Sequence, residues 1–157
     1  MFDVSSPPHR AFTTGGSTSG VVGASSEVLE HTAEVKLRVR AASLGELLGE
    51  AGRALAAVEL GGRPPAPVGS WRSVEVRSTD RDALLVDWLN ELIYLAETER
   101  WVPVEFEMET VAPTALRARA RGVPVTVTPA RVKAATFHGL RIVETPAGLE
   151  ADVILDV

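Results

Sequence analysis

The sequence predicts an α+β fold: a two-layer α/β sandwich with two helices packed on one face of a mainly antiparallel sheet. Three observations predict it. Residues 33–40 alternate strictly, with Ala33, Val35, Leu37 and Val39 on one face and Glu34, Lys36, Arg38 and Arg40 on the other, the period of a half-buried strand. Two stretches, 43–58 and 80–97, place apolar residues at the i, i+3, i+4, i+7 spacing of helices. After residue 100 come alternating segments joined by short turns, and short turns make antiparallel neighbours.

Composition bounds the function. A chain of 157 residues, 45% apolar and 24% charged, is expected to be one soluble globular domain. The net charge of −5 argues against direct nucleic-acid binding, which needs a basic face. With no cysteine there is no disulfide framework, thiolate zinc site or cysteine nucleophile. No apolar run approaches membrane-spanning length, so no membrane partner is expected. The N-terminus lacks the charged-then-apolar order of a secretory signal, and a cytoplasmic location is expected. Residues 1–26, with Thr13-Thr14-Gly15-Gly16-Ser17-Thr18-Ser19-Gly20, read as a disordered low-complexity tail, and the domain is expected over 27–157.

The elements follow in order. Ser43 and Glu46 make a capping box for the first helix, whose stripe is Leu44, Leu47, Leu48, Ala51, Leu55 and Val58. Gly61-Gly62 ends it, and Pro64, Pro65 and Pro67 prevent its resumption. Gly45, Gly49 and Gly52 weaken it intrinsically, so packing must hold it. Residues 71–77 form a short strand with Val74 and Val76 inward. The second helix starts from a Thr79/Asp82 cap and carries the densest apolar stripe, Leu84, Leu85, Trp88, Leu89, Leu92, Leu95 and Ala96. Residues 101–110 and 116–121 make a hairpin in which Glu105, Glu107 and Glu109 face Arg117, Arg119 and Arg121. Opposite charges across a hairpin account for the arginine cluster as sheet chemistry rather than as an RNA patch. Residues 122–130 form a loop or poor edge strand, and 131–137, 140–144 and 149–157 are further strands separated by turns at His138-Gly139 and Pro146-Ala147-Gly148.

Candidate functional residues fall into three groups. Asp87, Asn90 and Glu91 are polar residues inside the apolar second helix, and such groups usually satisfy neighbouring loops. Glu34 opens the first strand and Asp156 closes the last, both on polar faces. If those strands are antiparallel neighbours, the two carboxylates meet at one sheet edge beside the terminal carboxylate of Val157. Such a set suits a divalent metal ion (Ca²⁺, Mg²⁺ or Mn²⁺), although most surface carboxylates ligate nothing. His31, Thr32, Lys133, Thr136 and His138 flank or lie within strands: His138 suits a turn as well as a site, and Lys133 either snorkels to solvent or acts. Among catalytic motifs, the phosphate-binding loop, H-E-x-x-H and G-x-S-x-G are all missing.

Three separated stretches together resemble the archease family. They are His31-Thr32-Ala33-Glu34, then Leu84-Leu85-Val86-Asp87-Trp88-Leu89-Asn90-Glu91-Leu92-Ile93-Tyr94, then Lys133-Ala134-Ala135-Thr136-Phe137-His138-Gly139-Leu140 with Ile154-Leu155-Asp156-Val157. The resemblance implies a non-catalytic protein cofactor that activates an RtcB-type RNA ligase in tRNA splicing or RNA repair. By that resemblance, the cofactor promotes guanylylation of the ligase by GTP and its multiple turnover. It also implies a divalent metal between Glu34 and Asp156 and a functional role for Lys133; His31 and His138 are expected beside them as partner-binding or functional residues. The family pattern has Asp where this chain has Glu34, whose extra methylene carries the carboxylate roughly 1.5 Å farther. The loop at 122–130 is apolar and proline-rich where relatives often carry acidic residues and a histidine. Two rival readings of the same residues are a small metal-dependent hydrolase and a chaperone-like interaction module without metal.

Overall fold

The alternating stretches form strands and the 3.6-periodic stretches form helices. A computed structural model describes residues 2–5, 34–126 and 131–157. In chain order the elements are β1 (Phe2–Ser5), β2 (Glu34–Ala41), α1 (Leu44–Leu60), β3 (Val68–Arg77), α2 (Arg81–Glu99), β4 (Trp101–Ala112), β5 (Ala115–Pro124), β6 (Ala134–Thr136), β7 (Val143–Thr145) and β8 (Gly148–Asp156). The fold is α+β, and every strand pairing is antiparallel. The strands divide into two sheets instead of one. The first runs β1-β2-β8-β6, with β7 also on β8, and the second runs β3-β5-β4. Alternation fixes which face of a strand is buried but not which strand lies beside it. The closing strand β8 inserts between β2 and β6, so the first sheet is built from both ends of the chain.

Phe2–Ser5 corrects the expectation that residues 1–26 lie outside the fold. It pairs along the outer edge of β2, Phe2 opposite Val39 and Ser5 opposite Lys36. An open edge there would expose unpaired N–H and C=O groups, and Phe2-Asp3-Val4-Ser5 has the alternation to pair with it. Pro7 and Pro8, two and three residues further on, have no N–H to give a ladder. Residues 6–33, including His31 and Thr32, lie outside the described residues.

The helices start and stop for local reasons. Ser43 accepts the Glu46 N–H at 3.2 Å, and Glu46 reaches back to the Ala42 N–H at 3.3 Å. Gly61 takes the left-handed conformation (φ 74°), and Gly62 N–H closes the helix onto Ala57 O. The cap of α2 is Asp80, accepting from Ala83 N–H at 2.8 Å, one residue later than the Thr79 expected. A carboxylate there also suits the positive end of the helix dipole. Both helices and the inner faces of both sheets share one core. At its centre Trp88 is fully buried, edge-on to Phe106 at 5.5 Å, with its indole N–H donating to Leu48 O at 2.8 Å. Gly52 permits this packing: a Cβ there would stand 2.9 Å from the Phe106 ring.

The β4–β5 hairpin carries the expected charge pairs, with one change. Glu105 lies opposite Arg121 and Glu107 opposite Arg119, and both pairs form ion pairs. A register shift between Met108 and Thr110 moves Arg117 off Glu109 and onto Glu75 of β3, at 3.1 Å. These groups are about a third or more exposed, so each pair adds at most about 1 kcal/mol.

Candidate functional site

The alternation of β2 and β8 puts their polar residues on one shared face. Along it the charges are complementary. Arg38 lies opposite Asp152 and binds it through two hydrogen bonds, at 2.8 and 3.0 Å. The Arg38 guanidinium holds the Asp152 carboxyl below its usual range. Arg40 lies opposite Glu150, with their charged groups 3.7 Å apart. At the end of the ladder the complementarity breaks, because Glu34 lies directly opposite Asp156. Directly opposed residues of an antiparallel pair hold their Cβ atoms about 4.5–5.5 Å apart, and like charges there repel. Glu34 is exposed, while Asp156 and Val157 are half-buried. The adjacency that the sequence analysis made conditional is therefore present.

Asp156 sits on a central strand, with Glu34 on one side and Ala134 of β6 on the other. Lys133 N–H donates to Asp156 O at 2.7 Å, which fixes Lys133 next to the carboxylate pair while its side chain stays exposed. His138 is exposed in the turn closed by Leu140 N–H on Phe137 O, where Gly139 adopts φ 68°. Thr136 lies opposite Ile154, and its hydroxyl is buried without a hydrogen-bond partner among the described residues.

The polar residues of α2 explain why β6 holds this position. Asn90 pairs with the backbone of Ala135 in both directions: its amide donates to Ala135 O at 3.2 Å, and its carbonyl accepts Ala135 N–H at 2.9 Å. An amide side chain thus substitutes for a neighbouring strand. Asp87 accepts from the Ser78 hydroxyl at 2.6 Å and braces the segment between β3 and α2. Glu91 is half-buried. The bracing expected of this group holds for Asp87 and Asn90.

Sequence reasoning missed other braces. Asp82, read as a cap, accepts Ile142 N–H at 2.9 Å, and Arg81 donates to Ile142 O at 3.3 Å. A charged pair at the start of an apolar helix was the available signal. It also missed Glu59, a buried carboxyl lying four residues past Leu55 and so on the apolar stripe of α1.

Two adjacent carboxylates are hard oxygen donors of the kind that Ca²⁺, Mg²⁺ and Mn²⁺ take. Among the described residues no three His, Cys, Asp or Glu side chains converge to hold a metal. Glu34 and Asp156 thus offer two donors, and an oxygen of Val157, waters or a partner would supply the rest. Such a partly open shell is ordinary for these cations, Mg²⁺ in particular keeping several waters. Among the described residues no helix is long and apolar enough to cross a membrane.

Comparison with known proteins identifies relatives that span the whole domain. The model of the Archease protein family matches residues 27–157. The archease of Methanosarcina barkeri is 29% identical over 139 residues, covering 83% of this chain and 94% of that protein. The archease of Archaeoglobus fulgidus is 31% identical over 137 residues, covering 82% and 96%. A crystal structure from Thermotoga maritima, of an archease described as a possible chaperone, superposes with a TM-score of 0.64 at 21% identity, over 86% of this chain and 99% of that one. A solution structure of a Methanobacterium thermoautotrophicum protein superposes at 0.60 with 27% identity, over 83% and 95%. With the family model spanning the whole domain and the structural likeness extending through both sheets, the chain belongs to the archease family.

Proposed function

We propose that this protein is a non-catalytic, metal-binding cofactor that activates an RtcB-type RNA ligase in the cytoplasm. In this reading it promotes GTP-dependent guanylylation of the ligase and its multiple turnover in tRNA splicing or RNA repair. Family membership supports the reading. The observation that carries it is the Glu34–Asp156 pair, two acids directly opposed at the end of a ladder that elsewhere sets Arg38 against Asp152 and Arg40 against Glu150, with Lys133 bonded beside it. A divalent cation bound there would neutralise the two carboxylates and offer an open coordination position to the partner. Glu34 and Asp156 hold that position on the sheet rim. Lys133 and His138, both exposed, are free to contact the ligase or its guanylate. The braces from Asn90, Asp82 and Arg81 keep the segment bearing them in register. A net charge of −5 suits a basic, RNA-binding partner.

The test is guanylylation of the ligase with labelled GTP, with this protein absent and at substoichiometric amounts. Faster labelling is the expected result, and Asp156→Ala abolishes it while the circular dichroism stays that of the wild type. Full stimulation by Asp156→Ala removes the metal from the account. Turnover of a nucleotide or phosphoester by this chain alone replaces the reading with that of a metal-dependent hydrolase.

A further inference from the structure

Away from the carboxylate pair, a cavity of about 270 Å³ opens between the C-terminal halves of the two helices and residues 125–126 and 131–132. Glu59 lines it from the last turn of α1. Only 3% exposed, Glu59 is the one buried polar or charged side chain among the described residues. Neither a hydrogen bond nor an ion pair engages its carboxyl within that part of the chain. Burial pushes its pKa up to about 8, so it is mainly the neutral acid at pH 7. Ile93 and Val132 give the cavity apolar walls, and Glu97, Arg100 and Arg131 supply its other charges. Arg131 pairs with Glu97 at 2.6 Å, and Arg100 donates to Thr126 O at 2.6 Å.

A buried carboxyl without a partner is a deficit that a bound molecule can meet. Water in the open part of the cavity is displaced with a gain in affinity only by a ligand that reproduces its hydrogen bond to the Glu59 carboxyl. A cationic ligand meets the deficit poorly, since two arginines against one glutamate surround a neutral acid. An anion with a short apolar body matches all three features: the acid donates to it, the arginines attract it, and the aliphatic walls bury the remainder. We propose that this cavity binds a small aliphatic carboxylate, which accepts a hydrogen bond from the Glu59 carboxyl, faces Arg100 and Arg131, and packs its body on Ile93 and Val132. The site is independent of the ligase reading, and neither Glu34 nor Asp156 contributes to it.

The probe is isovalerate, with isobutylamine as its charge-reversed counterpart, titrated into the full chain while the methyl resonances of Ile93 and Val132 are followed by NMR. At about pH 6.5 isovalerate shifts those methyls saturably, and its affinity falls at least about tenfold by pH 9.5, where Glu59 is ionised. Glu59→Gln keeps a donor without a titration and so removes the pH dependence while retaining binding. Arg131→Glu reverses one charge at the cavity and weakens binding several-fold, with a Tm change no larger than the loss of its exposed pair with Glu97 accounts for. Saturable shifts from the amine that strengthen with pH overturn the proposal in favour of a cation site. Shifts from neither probe, or isovalerate shifts indifferent to pH in the wild type, overturn it as well.

Discussion

Glu34 and Asp156 lie opposite each other because strand register leaves them no alternative, and two acids at directly opposed positions are the local fact from which a metal-binding role is argued. Asp156→Asn removes one of the two opposed charges while keeping the shape. In chelator, its stability should equal the wild type's or exceed it by up to about 1 kcal/mol. Added Ca²⁺, Mg²⁺ or Mn²⁺ should raise the wild-type Tm, since a ligand that binds only the folded state stabilises it, and should leave the variant's unchanged. Thermal melts in chelator and in each metal decide the matter, and an equal rise in both proteins sinks the idea. Glu59 is the second residue whose charge has a consequence. Its folded pKa of about 8 stands above the ordinary value of 4.5 because burial penalises the ionised form. Folding in that window takes up a proton. The contribution is therefore full below pH 4.5 and lost as pH rises through about 8, at up to about 1.4 kcal/mol per pH unit. Glu59→Gln should flatten this dependence in denaturant melts from acid to mildly alkaline pH. An equally steep decline in the variant would place the titrating group elsewhere. The carboxylate pair was legible from strand ends only on the condition that β2 and β8 are antiparallel neighbours. Glu59 was equally present in the sequence, four residues past Leu55, but a single carboxylate near a helix end reads as solvent-facing until the packing is known.

At the scale of elements, α2 acts as a backbone partner as much as a core helix. Its apolar stripe was legible by period, and so was the surplus of polar residues inside it. What those residues bind was not legible, because bonds such as Asn90 to Ala135 span 45 positions of sequence. The strand they support is also shorter than alternation implies: β6 covers Ala134–Thr136, not residues 131–137. Its ladder to β8 runs only over Ile154–Asp156, and β7 takes the other end of that edge. A three-residue strand held by three cross-strand positions and one side-chain amide should be sensitive to that amide. Asn90→Ala should destabilise the protein by about 1–3 kcal/mol, because it leaves the Ala135 N–H and C=O without their partner. It should also speed hydrogen exchange at Ala135 more than at Leu155 on the central strand. Uniform acceleration at both would mean that the variant loosens the whole core, and that Asn90 does not specifically position the segment carrying Lys133 and His138.

Across the whole molecule, pattern and topology separate. Strict alternation in 33–40 and the looser alternation of 149–157 identified two strands and their buried faces, and the capping box and Gly61-Gly62 bounded α1 correctly. The division into two sheets was hidden, since no local signal says that β3, β4 and β5 pair only among themselves. The edge strand β1 was hidden for a different reason: four alternating residues ahead of a Pro- and Gly-rich tract carry too short a period to register. Its pairing with residues 36–39 of β2 closes an edge that would otherwise be a template for another chain. Deleting residues 1–5 should therefore lower stability by about 1–2 kcal/mol, the net worth of a few strand hydrogen bonds. It should also accelerate amide exchange along residues 36–39 and promote self-association at high concentration, seen by light scattering. The metal-dependent rise in Tm should survive, because Glu34 lies beyond the paired stretch and keeps Asp156 opposite it on the other side of β2. A truncated protein that stays monomeric, equally stable and equally protected would show that β1 does not hold this edge in solution. One that lost the metal response would show that the edge and the carboxylate pair form a single cooperative unit.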